Sequence, residues 1–90
     1  MSISIKIVSN NEYEVTVQLN TITTHLVTLS NEVHKNLTNE KVTKEELLDF
    51  SFKFLLDKEP NTSILSSFEL TIISRYFSDY EKSVKKWCSS

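Results

Sequence analysis

The sequence predicts a small α+β domain in which an antiparallel β-sheet comes first and three or four helices follow, packed on one face of that sheet. Apolar and polar residues alternate over most of the first 29 residues, which is typical of strands with one buried face. After Ser30 the apolar residues recur at the three- and four-residue intervals of helices. A chain of 90 residues has room for one core, so we expect a single domain over residues 1–90.

Two alternating segments near the N-terminus predict a β-hairpin. Isoleucine occupies every second position over residues 3–7, and a second run over residues 13–19 alternates in the same way. Asn10 and Asn11 lie between the two runs. Because the chain has no glycine, we expect these two residues and Asn39 to supply the positive φ angles that tight turns require.

The rest of the chain predicts a third strand and then helices. Residues 23–29 are rich in β-branched side chains, which favour a strand. Ser30 is placed to cap a short helix, and Thr43 with Glu46 has the spacing of a capping box at the start of a longer helix that ends before Pro60. Two more helices are predicted beyond Pro60, with apolar positions at Leu65, Phe68, Ile72 and Tyr76 and then at Tyr80, Val84 and Trp87.

The longer helix, over residues 43–59, has an unusually wide apolar surface. At about 100° per residue its apolar side chains cover an arc of roughly 240°, whereas a surface helix needs a stripe of ~100°. Such a helix is either the spine of the domain or half of an interface. We therefore predict a non-enzymatic protein-interaction or structural module, which binds itself as a homodimer or binds another protein. The interface candidates are Leu48, Phe52, Leu55 and Leu56.

Charge, cysteine content and motif content narrow the function further. The net charge of −2 argues against a polyanion-binding surface over the whole molecule. Cys88 is the one cysteine, no apolar N-terminal signal is evident, and no apolar run approaches the ~18 residues of a membrane span, so we expect a cytoplasmic protein with no membrane partner. His25 and His34 lack metal-ligand spacing. We expect no enzymatic activity, no catalytic residues, no metal and no cofactor.

Residues 25–58 carry a strand, a short helix, a polar turn and the capped helix from Thr43. This order resembles a ribbon-helix-helix unit. In that family a strand pairs with its mate from a second chain, polar side chains on its outer face read the DNA major groove, and the two helices form the dimer. The resemblance implies the alternative function, a DNA-binding regulator or antitoxin whose partner is nucleic acid. Its DNA-contact candidates are Thr24, His25 and Thr28.

A second resemblance is carried by residues 45–48, 54–56, 59–60, 63–65 and 75–77, together with Phe52, Phe68, Leu70 and Ile73. These residues look like those of a group of short bacterial proteins of unassigned function. The resemblance implies a compact bacterial domain and brings no activity with it.

Overall fold

The computed structural model describes residues 2–89 and has the predicted α+β architecture, with strands first and helices after. Three consecutive strands open the chain, and four short and long helices with one further strand follow. The elements are β1 (Ser2–Ile7), β2 (Glu12–Gln18), β3 (Ile22–Thr28), α1 (Asn31–Thr38), α2 (Lys44–Lys58), a 3-10 turn (Asn61–Ser63), β4 (Ser67–Glu69), α3 (Ile72–Tyr76) and α4 (Tyr80–Cys88).

The four strands form one sheet in the order β1-β2-β3-β4. The first three strands are antiparallel neighbours, and β4 runs parallel to β3. Side chains on one face of the sheet are buried, as shown by Tyr13, Val15 and Val17 on β2, whereas the other face carries mostly polar residues. The helices therefore cover one face of the sheet, because most of the apolar side chains of the sheet lie on that face.

The chain has no glycine, and its turns depart from the predicted positive φ angles at two places. Asn39 has a φ of 52° and ends α1, with its N–H donating to the Lys35 carbonyl, as expected of a left-handed C-cap. Asn10 and Asn11 do not have positive φ, so that part of the prediction is wrong, and Glu40, which the sequence does not predict, has a φ of 61°. The N–H groups of Val8 and Ser9 both donate to the Glu12 carbonyl, and this wider closure of the hairpin needs no left-handed residue.

Helix α2 begins at the predicted capping box. The Thr43 hydroxyl accepts a hydrogen bond from the Glu46 N–H at 3.0 Å, and the Glu46 carboxylate accepts one from the Thr43 N–H at 2.8 Å. Together these bonds satisfy two donors that the first turn of a helix otherwise leaves unpaired. Glu59 is already extended, as expected for a residue that precedes a proline.

The wide apolar arc of α2 is covered on both sides within the chain. On the sheet side, the Phe52 ring lies 5.4 Å from the His25 ring of β3, measured between centroids. On the other side, Phe50 stacks on Trp87 of α4 with centroids 4.4 Å apart. The helix is thus the spine of the domain, because it separates the sheet from α4 and supplies side chains to both contacts.

This position decides what the four interface candidates on α2 can do. Leu48 and Phe52 are fully buried in the core of a single chain and Leu55 is only 4% exposed, so these three offer a second protein almost no surface. Leu56 is half-buried and packs against the same core. The excess apolar surface that suggested an interface is therefore taken up by the sheet and α4.

A buried polar contact fixes α4 against α2. The Ser51 hydroxyl donates to the Leu47 carbonyl at 2.7 Å, so the Tyr80 hydroxyl, 2.5 Å from the Ser51 oxygen, is the donor of the second bond. Burial raises the pKa of Tyr80 far above its usual value, since the ionised phenolate would lose its hydration. The neutral hydroxyl is thus held at the joint between the two helices.

The helix predicted directly after Pro60 is wrong in its first half. Residues 67–69 form β4, and only residues 72–76 are α-helical. The Leu26 N–H donates to the Ser66 carbonyl at 2.8 Å, and the Leu70 N–H donates to the Thr28 carbonyl at 3.0 Å. Pairing with β3 satisfies backbone groups at an edge that would otherwise stay open, and this tertiary gain outweighs the local helical spacing.

Replacing Phe52 with alanine should lower the free energy of unfolding by about 3–5 kcal/mol, because it opens a cavity between α2 and the sheet. Urea unfolding followed by circular dichroism measures the change. The control is Lys53→Ala at the next position, where an exposed side chain pairs with Asp49 on the surface and less than about 1 kcal/mol should be lost. Equal losses in the two variants would contradict the central role of Phe52.

Candidate interaction surface

The outer edge of β1 is an open backbone edge. β1 stands at the end of the sheet and pairs with β2 alone, and no strand of residues 2–89 pairs with its other edge. The Val8 N–H donates to the Glu12 carbonyl at 2.9 Å, so the backbone groups of every second residue counted back from Val8 point toward β2. Even-numbered residues of β1 turn their backbone groups toward β2, so the odd-numbered Ile3, Ile5 and Ile7 turn theirs toward the open edge.

The same three isoleucines are incompletely covered by the helices. Their side chains lie on the inner face of the sheet, in register with Val17, Val15 and Tyr13 of β2. Ile3 and Ile5 are half-buried, and Ile7 is 59% exposed. The row therefore combines unpaired backbone donors and acceptors with apolar surface that remains accessible to water.

Natural edge strands are usually protected against pairing by proline, by inward-pointing charges or by a covering loop. β1 contains no proline, and its one charged residue, Lys6, lies on the outer face opposite Glu14. The inner face of the strand is apolar throughout. Neither the backbone nor the side chains of β1 therefore protect this edge against pairing with another strand.

The three DNA-contact candidates lie on β3 in different environments. Thr24 is exposed and Thr28 is half-buried on the outer face, whereas His25 points inward and is only 2% exposed. Both edges of β3 are paired within the chain, one with β2 and the other with β4. A ribbon-helix-helix dimer would need this strand to pair with a second copy, and β4 already occupies its second edge at Leu26, Val27 and Thr28.

His25 belongs to a buried polar network that the sequence did not indicate. Its Nδ1 lies 2.7 Å from the Leu65 carbonyl, which can only accept, so Nδ1 carries the hydrogen. In the neutral ring Nε2 then accepts from the Thr23 hydroxyl at 2.8 Å. Asn61 donates to that hydroxyl at 3.0 Å and to the Thr21 carbonyl at 2.8 Å. These bonds tie β3 to the segment that follows Pro60.

The other histidine also has a structural contact. The His34 Nε2 donates to the Val42 carbonyl at 2.6 Å and so links α1 to the turn before α2. Within the described residues, no three His, Cys, Asp or Glu side chains form a group able to hold a metal ion. None of the helices in residues 2–89 combines the length and apolar character needed to cross a membrane.

Comparison with known proteins gave no match. No family model matches the chain, and neither a curated protein nor a solved structure is similar to it at a significant level. The function has to be inferred from the contacts, burial and charges of the chain itself.

Replacing Asn61 with alanine should destabilise the protein by about 1–3 kcal/mol, because it removes two buried hydrogen bonds, one to the Thr21 carbonyl, which keeps only the Leu19 N–H as a donor, and one to the Thr23 hydroxyl. Thermal or urea unfolding measures the loss. Thr62→Ala is the matched control, since Thr62 is exposed and adjacent, and surface changes of this kind usually stay within ±0.5 kcal/mol. If the Asn61 variant were as stable as the control, the network would not hold β3 to the segment after Pro60.

Proposed function

We propose that this chain is a small non-enzymatic protein-interaction module that associates with a second copy of itself through the open edge of β1. The observation that carries the proposal is the row Ile3, Ile5 and Ile7, whose backbone groups face outward and whose side chains are only partly covered. Addition of a strand to such an edge satisfies the backbone groups and buries the accessible apolar surface in one step.

The register of β1 suits pairing with an identical strand. Two copies related by a twofold axis pair antiparallel, and residues directly opposite each other then lie on the same face of the joined sheet. When the axis passes at Ile5, Ile5 opposes its own copy and Ile3 opposes Ile7. All three residues have outward backbone groups, so every such pair exchanges both of its N–H···O bonds.

The outer face of the same arrangement avoids a clash of like charges. With the axis at Ile5, Lys6 of one copy opposes Ser4 of the other, so the two lysines are not direct neighbours. If the register shifted by one residue, the isoleucines would lie opposite Ser4 and Lys6. The backbone groups of those two residues point toward β2 and could not pair across the junction. The centred register is therefore the one in which both the hydrogen bonds and the apolar side chains match.

The side chains add to the backbone contribution. Full burial of an isoleucine that was exposed contributes ~1.5–3 kcal/mol, and each copy brings three partly exposed isoleucines to the junction. Because a strand-to-strand junction is small, association must also overcome the lost freedom of two molecules. A dimer that dissociates on dilution is the expected behaviour.

Ile7→Lys should weaken the dimer by at least ~10-fold, because it places a charge in the apolar row opposite Ile3 of the second copy. Ile7 is 59% exposed, so the folded single chain should tolerate the change. Ile22→Lys is the matched control, since Ile22 is 62% exposed on the outer face of β3. Sedimentation equilibrium over a dilution series measures the dissociation constant against the 10.4 kDa mass of one chain.

Three results would contradict the proposal. The first is sedimentation of the unmodified chain as a monomer at the highest soluble concentration, and the second is equal weakening of the dimer in both lysine variants. The third is a dimer that persists in an Ile5→Pro variant. This change removes the N–H at the centre of the open edge and leaves the hydrogen bonds between β1 and β2 in place.

A further inference from the structure

A second surface, unrelated to the edge of β1, is an apolar cleft beside the end of α2. Its volume is about 420 Å³, which lies in the range of sites for small molecules. The cleft lies beside the C-terminal end of α2, just before Pro60, and beside the short helix α3, which follows β4. Its walls include one residue of α2, two of α3 and two of the segments before β4 and after α3: Leu55, then Ile72 and Tyr76, then Leu65 and Phe77.

The walls are aromatic and apolar, and part of them is accessible from solvent. Tyr76 is 68% exposed and Leu65 is 47% exposed, so both lie where a ligand can reach them. Phe77 is half-buried and meets the Phe54 ring edge-on at 5.9 Å between centroids, which fixes its orientation. Aromatic side chains thus line the cleft, and organic cations are attracted to the faces of aromatic rings.

Glu59 is the one charged residue in the lining, and its carboxylate is available. In the part of the chain that the structure describes, no hydrogen bond or ion pair engages that carboxylate. The neighbouring Lys58 is occupied elsewhere, since its Nζ lies 3.4 Å from the Asp79 carboxylate and 4.9 Å from the centre of the Phe54 ring. The cleft thus combines an apolar body with one unpaired negative charge.

We propose that this cleft binds a small organic cation, with the apolar part of the ligand against Leu55 and Ile72 and its ammonium group near Glu59 and the Tyr76 ring. An anionic ligand would meet the uncompensated carboxylate. A simple metal ion would find one carboxylate among apolar side chains, far short of the oxygen ligands that hard cations require.

The test is a titration of the full chain, followed by the amide chemical shifts of 15N-labelled protein. The probe is 2-phenylethylammonium, and its neutral and anionic analogues are 2-phenylethanol and 3-phenylpropionate. Saturable shifts at Leu65, Ile72 and Tyr76 are expected for the ammonium compound, weaker ones for the alcohol and none for the carboxylate. Because Glu59 is partly exposed, the preference for the cation should decrease as salt is added.

Glu59→Gln keeps the size of the side chain and removes its charge. It should raise the dissociation constant of the ammonium compound about fivefold and leave that of the alcohol unchanged. Asp57→Asn is the matched control, because Asp57 is exposed on the same helix and lies outside the lining. Equal binding of all three compounds, an unchanged affinity in Glu59→Gln, or shifts confined to residues outside the cleft would each overturn the proposal.

Discussion

The burial of α2 between the sheet and α4 is the constraint on which the rest of the structure depends. A 90-residue chain has few apolar side chains for its core, and α2 supplies four of the buried ones, Leu47, Leu48, Phe52 and Leu55. Phe52 faces the sheet, while Phe50 and Ser51 face α4 through Trp87 and Tyr80. Two layers of contact therefore share one element, and loss of packing at α2 would release the sheet and α4 together.

One edge of the three-stranded antiparallel sheet is covered by a fourth strand and the other is open, because the chain returns to only one of them. After α2 the segment beyond Pro60 comes back along β3 and closes that edge as β4, where the network of His25, Thr23 and Asn61 holds it. No strand of residues 2–89 returns to the outer edge of β1. The edge strand is left with unpaired backbone groups and a partly covered row of isoleucines, which is the combination that favours association with another strand.

The same economy of chain length explains the cleft. α3 has five residues, which is too short to cover the end of α2, so a gap remains between Leu55 and Tyr76. In a larger domain a longer helix or a further loop would fill such a gap with side chains. Here it leaves aromatic surface beside the Glu59 carboxylate, which no other described side chain pairs with.

Local chemistry was sufficient to predict several elements from the sequence alone. The alternation of isoleucines with polar residues indicated β1, the Thr43 and Glu46 spacing indicated the start of α2, and Asn39 indicated the left-handed residue after α1. Each depends on neighbours within a few residues. The candidate site was less predictable. The wide apolar arc of α2 predicts that its side chains are covered without showing that α4 and the sheet cover them, so the sequence alone leaves Leu48, Phe52, Leu55 and Leu56 as interface candidates.

Contacts between residues far apart in sequence were decided only by the tertiary structure. Residues 67–69 have helical spacing, yet they form β4 because β3 offers unpaired backbone groups some 40 residues earlier in the chain. In the sequence His25 is an isolated histidine. The fold places the Leu65 carbonyl beside the His25 ring and places Asn61 beside Thr23. The sequence alone determined which segments could be strands or helices, since that depends on local spacing. Which edge stayed open was set by where the chain returned.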